Sequence, residues 1–244
     1  MKQLLPLLLL ACLSNSLYAN DNPYDWVLEQ YRNNETSEIT AHANGRIDGE
    51  EYIAIIAGRT SPTNNGGPVI LVFKKTPNGP TIIATIDLQG DHAAGYSVTI
   101  RNDSIYLEHW VGHHGWHGGR YQFKQTDHKF RMIGADRQSQ QLGCYAGDES
   151  PRCSDREVWS GTSYNFLMSS AICWQETIGQ RNERKIKEAS RRSEEWLQPK
   201  NGVRHQMTFR PINLPLLDGF DFLDFSLPKT CYFDHKNKLQ LERL

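Results

Sequence analysis

The chain has 244 residues with 27 basic and 28 acidic side chains, and its formal charge of −1 lacks the basic excess of nucleic-acid-binding domains. The same balance gives no reason to expect an anionic membrane surface as a partner. The length predicts one large or two small globular domains.

The N-terminal segment has the pattern of an export signal. Lys2 gives a positive start, an apolar run covers residues 4–11, and Leu17-Tyr18-Ala19 ends in a small residue suited to a signal peptidase. The run is shorter than the roughly 20 apolar residues of a membrane-spanning helix. We therefore predict a cleaved signal peptide at residues 1–19 and a periplasmic or secreted bacterial protein without a transmembrane segment. The alternative is a lipoprotein anchored at Cys12, because residues 9–12 resemble a lipobox.

A short helix is predicted at residues 24–31, and a β pattern then continues to about residue 170. Apolar or alternating runs are separated by Gly, Pro, Asn and Asp clusters, which is typical of short antiparallel strands. These runs lie at residues 52–57, 69–73, 81–88, 97–101, 105–110, 120–124, 130–133 and 163–167. We predict a mainly β (β-rich α+β) fold whose antiparallel sheet forms a sandwich-like or propeller-like core.

The later part of the chain has two different segments. Residues 176–200 are dense in charges of both signs and are predicted to be a solvated helix or a long exposed hairpin, which the pattern does not decide. Residues 206–233 are rich in Phe and Leu, so we expect this tail to pack on the main core. Residues 20–244 are thus predicted to form a single exported domain, with its core at about 40–170 and a C-terminal extension at 171–244.

Four cysteines follow the signal segment, and an even number in an exported chain predicts two disulfide bonds. The simplest pairing joins Cys144 to Cys153 and Cys173 to Cys231, although the spacing alone does not fix the connectivity. Loop-closure entropy predicts a stabilisation of about 3 kcal/mol for the short loop and about 4 kcal/mol for the long one. No Cys-x-x-Cys pair is present, which argues against a zinc or redox site at these residues.

The most unusual local composition begins at His109 and ends at Arg120. Four of the nine histidines lie within nine residues here, and clustered imidazoles suit zinc or copper. Their spacing matches no standard zinc motif. The competing interpretation is a β-hairpin tip with exposed histidines, in which tryptophans cover the edge of the sheet. We predict no bound cofactor and keep zinc or copper binding as the alternative, with the ligands His109, His113, His114 and His117.

Catalytic patterns are scarce, and no Gly-x-Ser-x-Gly elbow is present. Asp218, Asp221 and Asp224 alternate with phenylalanines and are interpreted as outward-facing acids on a strand or turn. Asp48-Gly49 resembles part of a calcium loop, but Arg46 occupies a ligand position, so a turn is predicted instead. Asp91-His92 is a candidate for half of an acid–base pair, with no third member identified.

Three blocks together resemble an uncharacterised family of exported proteins, mostly from Gram-negative bacteria. They are residues 48–54 (DGEEYIA), residues 121–136 with YQFK and FRMIGAD, and residues 163–167 (SYNFL). The corresponding family patterns are an acidic NGDG loop, "Y.FR…F.LIG.D" and "S.N.LTG". The resemblance spans about residues 40–170 and implies an exported β-rich fold, and it transfers no catalytic residue.

These features favour a non-enzymatic recognition module that binds a protein partner in the periplasm, such as an inhibitor or an immunity-type protein. Tryptophan and tyrosine near predicted loops are the main reason, because recognition often occurs on loops and through aromatic side chains. The candidate binding residues are Trp110, Trp116 and Arg120. The alternatives are a periplasmic metal-binding protein that uses the His-rich hairpin 109–117, and a hydrolase with an unrecognised site.

Overall fold

The computed structural model of the protein describes residues 36–59, 68–88, 95–112, 116–141, 157–178, 203–222, 225–228, 231–233 and 239–241. Every regular element within these ranges is a β-strand, which confirms the mainly β prediction. The helix predicted at residues 24–31 lies outside the described residues. So does the predicted pair Cys144 and Cys153.

The first four strands form one antiparallel sheet in the order β1-β2-β3-β4. Their bounds are β1 (Thr36–Ile47), β2 (Glu50–Arg59), β3 (Val69–Thr76) and β4 (Gly79–Asp87). Each strand pairs with its neighbour in the sequence, as short hairpin connections require.

The next seven strands form a second antiparallel sheet in the order β11-β10-β9-β8-β7-β6-β5. Their bounds are β5 (Gly95–Arg101), β6 (Ser104–Gly112), β7 (Trp116–Thr126), β8 (Lys129–Gln141), β9 (Glu157–Asn165), β10 (Ser170–Ile178) and β11 (Val203–Thr208). A third, small sheet pairs β12 (Cys231–Phe233) with β13 (Leu239–Leu241). Of the charged segment predicted at residues 176–200, the first three residues belong to β10 and the others lie outside the described residues. Residues 179–202 connect β10 to its antiparallel neighbour β11.

Three tight turns have two central residues with positive φ: Asp48–Gly49, Asn102–Asp103 and Asp127–His128. This is the geometry of type I′ turns, whose twist matches that of the strands they join. The backbone N–H of Asp48 donates to Oδ1 of Asp103 at 3.1 Å, so the turns of the two sheets meet. The turn predicted at Asp48-Gly49 is therefore confirmed.

The tight turns between strands lie at one end of the sheets, and the remaining connections lie at the opposite end. Tight turns join β1 to β2, β3 to β4, β5 to β6, β7 to β8 and β9 to β10 at one end. Residues 60–67, 89–94, 113–115, 142–156 and 179–202 connect strand ends on the opposite side and lie outside the described residues. Several sequence candidates fall in these connections, namely Asp91-His92, His113 and His114.

Both sheets contribute to one hydrophobic core. The first sheet provides residues such as Ile56 and Ile70, and the second provides residues such as Leu107 and Phe123. A smaller cluster occupies the opposite face of the first sheet and includes Leu71 on β3. Both faces of β2 and β3 are thus buried, which explains why these strands are continuous apolar runs rather than alternating ones.

The tail packs on this core, as predicted from its composition. Leu217 donates its backbone N–H to Phe130 O on β8 at 2.9 Å. The next residues contact β4, because Oδ1 of Asp218 accepts from the N–H of Thr85 at 3.1 Å and Gly219 donates to Thr85 O at 3.1 Å. The tail therefore links the two sheets by backbone hydrogen bonds. Further along, the predicted disulfide between Cys173 and Cys231 joins β10 to β12.

Candidate functional site

The turn between β9 and β10 displays two large apolar side chains. Leu167 is 66% exposed and Met168 is 72% exposed, the highest values among the large hydrophobic side chains that the structure describes. The preceding residue, Phe166, is buried and its ring stacks on that of Tyr164 at 5.9 Å. The chain therefore anchors one ring in the core and presents the next two side chains to solvent.

Hydrogen bonds within the turn and to a neighbouring segment order its backbone. The Asn165 carboxamide Oδ1 accepts from the N–H of Met168 at 3.0 Å, and Phe166 O accepts from the N–H of Ser169 at 3.2 Å. The turn is also fixed to its surroundings, because Phe209 donates to Ser169 O at 3.0 Å. We call residues 166–169 the apolar tip. Its exposed side chains are presented on a backbone that is already ordered.

A polar recess of about 210 Å³ lies on the outward face of the second sheet. Its lining includes Gly134 on β8, which pairs with Gln122 on β7 and with Asn165 on β9. Because glycine has no side chain, Tyr164 O and the side chain of Gln122 approach the backbone closely at this position. We call the surrounding set the Arg101 recess, and its side-chain lining includes Arg101, Asn102, Tyr106, Arg120, Gln122 and Asp136.

Arg120, a candidate from the sequence, is the most constrained cation of this recess. Its Nε and Nη2 donate to Oδ2 of Asp136 at 3.0 and 2.6 Å, and its side chain is only 16% exposed. Its guanidinium also lies 6.0 Å from the centre of the Tyr106 ring. Arg101 stacks on the same ring at 4.9 Å. The two arginines thus converge on one aromatic side chain.

A larger cleft of about 710 Å³ lies at the turn end of the first sheet. Arg46, Glu51 and Lys75 occupy neighbouring positions on β1, β2 and β3 along its lining. Glu51 accepts from Lys75 at 2.9 Å and from Arg46 at 3.2 Å. The hydrogen bond from Lys75, followed by that from Arg46, lowers the pKa of the Glu51 carboxyl. This carboxylate is therefore ionised at neutral pH and is poorly suited to proton transfer.

The His-rich hairpin is divided by the structure. His109 lies on β6, half-buried, with its ring 5.8 Å from Tyr121 and 5.2 Å from Phe222, so the expectation that all these histidines are exposed is wrong for this residue. His117 on β7 is exposed. His113 and His114 lie outside the described residues. Within the described ranges, no group of three or more His, Cys, Asp or Glu side chains is arranged to hold a metal ion.

The candidate tryptophans have different outcomes. Trp110 lies directly opposite Gly95 in the register of β5 and β6, and a Cβ on that glycine would lie 2.2 Å from the indole. The ring therefore covers the glycine, as aromatic residues do in stable cross-strand pairs. Trp116 begins β7, and its side chain lies outside the description. Asp218 and Asp221 are exposed in the tail, in agreement with the interpretation of outward acids, and Asp224 lies outside the described residues.

Sequence reasoning identified Arg120 but not the residues around it. Tyr106 lies on β6, whereas Asp136 and Gly134 lie on β8, so together with Arg120 on β7 they come from three strands. Only the pairing register shows that they are neighbours. The apolar tip was visible as a conflict in the sequence. Leu167 and Met168 extend an apolar run beyond the end of a strand, where a polar turn is expected.

No protein-family model, curated protein or solved structure matches the chain. The family resemblance of residues 40–170 therefore stays a prediction. No helix within the described ranges is long and apolar enough to cross a membrane. The Cys173–Cys231 disulfide is compatible with a location outside the cytoplasm.

Proposed function

We propose that the protein is a non-enzymatic recognition module that binds another exported protein, in the manner of an inhibitor or an immunity-type protein. The observation that carries this proposal is the apolar tip. A turn would normally present polar side chains to water, whereas this one presents Leu167 and Met168. We interpret the fold that supports the tip as a sandwich rather than a propeller, because two sheets share one core.

The exposed side chains of the apolar tip are better suited to stabilising a complex than to stabilising the fold of the free protein. Burying a Leu or Met side chain in a partner removes apolar area from water and contributes about 1.5–3 kcal/mol per side chain. The backbone of the turn is already ordered by the bonds of Asn165 and Ser169, so less conformational entropy is lost on association. Leucine provides a defined shape, and the flexible thioether of methionine adapts to an irregular pocket.

The test compares partner binding by the mature chain and by the double variant Leu167→Asn/Met168→Gln. The partner is first isolated from periplasmic extract on the immobilised wild type, and its affinity for each purified variant is then measured. We expect the double variant to bind at least about 100-fold more weakly, because central apolar anchors each contribute roughly 1–2 kcal/mol or more. Its free energy of unfolding should change by less than about 0.5 kcal/mol per exposed site.

The matched control is Ile82→Asn, which also removes an exposed apolar side chain but lies on β4 of the other sheet. This variant should keep wild-type affinity. Equal affinity of the wild type and the double variant would overturn the proposal. Equal weakening by Ile82→Asn would also overturn it, because the loss would then not depend on the tip.

A further inference from the structure

The Arg101 recess adjoins the apolar tip, because Gly134 pairs with Asn165, but it has no role in the function proposed above. We propose that this recess binds a carboxylate group. The proposal rests on the arrangement of its cations and on its size. It holds whether or not Leu167 and Met168 contact a partner protein.

Among the charged side chains that line the recess, Arg101 is the cation available to bind an anionic ligand. Asp136 and Arg120 form a close ion pair, which offsets both charges and fixes the direction of the guanidinium. Glu108 lies opposite Arg120 in the register of β6 and β7, outside the recess lining, and accepts a hydrogen bond from Ser97 at 3.2 Å. Arg101 is exposed, and it forms no ion pair with any residue that the structure describes. A ligand carboxylate would supply the counter-charge for Arg101.

The position of Arg101 suits a fork-like contact. Its guanidinium packs over the Tyr106 ring at 4.9 Å, which restricts its rotation and leaves the N–H groups at the rim of the guanidinium plane. A planar guanidinium matches the two oxygens of a carboxylate with parallel hydrogen bonds. The nearby side chain of Gln122 is also oriented, because its Nε2 donates to Oγ of Ser104 at 3.0 Å.

Gly134 lines the recess beside Gln122, and a side chain here would reduce its volume. A Cβ at this position would lie 3.3 Å from Tyr164 O and 3.4 Å from Oε1 of Gln122, on the face that lines the recess. An alanine here would therefore narrow the recess with only small shifts of its neighbours. The volume of about 210 Å³ is below the range of about 300–1,000 Å³ for sites that enclose drug-sized ligands. It fits one functional group rather than a large molecule.

A carboxylate could come from a small free acid or from an acidic side chain of a protein. The probes are therefore succinate for the first source and a short blocked peptide with a single Glu for the second. Each is titrated into the ¹⁵N-labelled mature chain, and the chemical shifts of the Arg Nε–H groups and of the Gly134 amide are followed. We expect saturable shifts at Arg101, Arg120 and Gly134 with at least one probe.

The decisive variants are Arg101→Gln and Gly134→Ala. Loss of a charge-assisted hydrogen bond should raise the Kd by at least about tenfold in Arg101→Gln. Gly134→Ala should weaken binding by narrowing the recess while the charge stays the same. The matched control is Lys124→Gln, which removes one positive charge from the exposed part of β7 outside the recess and should leave the Kd nearly unchanged.

The possible outcomes distinguish the two sources of the carboxylate from each other and from a failure of the proposal. Saturation by succinate but not by the peptide assigns a small-molecule site, and saturation by the peptide alone assigns a site for an acidic side chain. Shifts that do not saturate with either probe would overturn the proposal. Equal weakening by Arg101→Gln and Lys124→Gln would also overturn it, because it would indicate a general charge effect.

Discussion

At several positions, close packing between neighbouring strands explains the residue type better than the local sequence pattern does. Trp174 lies opposite Gly161 in the register of β9 and β10, and a Cβ on that glycine would lie 2.5 Å from the indole. The same arrangement joins Trp110 to Gly95. A large ring is thus accommodated twice by a glycine on the next strand. The sequence contains both members of each pair but does not show that they are opposite one another.

Tyr164 gives a pH-dependent prediction at this scale. Burial is the largest cause that raises the pKa of its phenol from the ordinary value of 10 to about 12. The folded protein therefore holds this proton more tightly than the unfolded chain. The resulting stabilisation is complete below pH 10 and is lost as the pH rises through 12. It amounts to about 3 kcal/mol at most, since one pKa unit corresponds to about 1.4 kcal/mol.

The variant Tyr164→Phe should therefore lose less stability than the wild type between pH 10 and about 12. Urea unfolding at several pH values measures this slope. Tyr52→Phe should act in the same direction, because burial and the neighbouring Glu50 raise the pKa of Tyr52 to about 12. Parallel pH profiles for the wild type and Tyr164→Phe would show that the phenol does not stabilise the folded state in this way.

At the scale of strands, the strands with a strong apolar pattern were predictable from the sequence. The run 69–73 became β3, and the runs on either side of Asn102-Asp103 became β5 and β6. β1 was not predicted, because its inward positions carry Ala41, Ala43 and Gly45 instead of large residues. The structure requires small residues there, since a Cβ on Gly45 would lie 2.6 Å from Cγ2 of Ile100 on β5. Packing between the two sheets thus explains why β1 carries small residues, which in the sequence alone resemble a loop.

The disulfide gives a prediction for the elements that it joins. Cys173 lies in the centre of β10 and is fully buried, and its bond to Cys231 closes a loop with a sequence separation of 58. We expect Cys173→Ser to destabilise the protein more than Cys153→Ser. The entropy model assigns about 4 kcal/mol to the long loop and about 3 kcal/mol to a short loop between Cys144 and Cys153.

Denaturant midpoints of the two variants test this order. Cys231→Ser is the matched control, because it opens the same loop and should resemble Cys173→Ser. In the wild type, no thiol should react with an alkylating agent before reduction at Cys144, Cys153, Cys173 or Cys231. Equal midpoints for Cys173→Ser and Cys153→Ser would contradict the prediction.

At the scale of the whole molecule, the tail integrates the two sheets. Its composition predicted burial, but only the fold shows where it packs. Phe220 contacts Tyr121 at 5.1 Å and Phe123 at 5.2 Å between ring centres, while Gly219 bonds to β4 of the other sheet. The Arg101 recess depends on the same level of organisation, since its residues come from separate strands. Such non-local contacts cannot be read from spacing along one chain.

Phe220→Ala should therefore destabilise both sheets and not only the tail. Phe220 is 3% exposed, and removing a buried phenylalanine ring costs about 3–5 kcal/mol through lost burial and the remaining cavity. Because one core is shared by both sheets, we expect a single unfolding transition in which the amides of β3 and β8 lose exchange protection together. Hydrogen exchange and urea unfolding measure these effects. Asn213→Ala, an exposed change in the same segment, should alter stability by less than about 0.5 kcal/mol. If β8 lost protection in Phe220→Ala while β3 kept it, the two sheets would fold as separate units, and the tail would serve only the second.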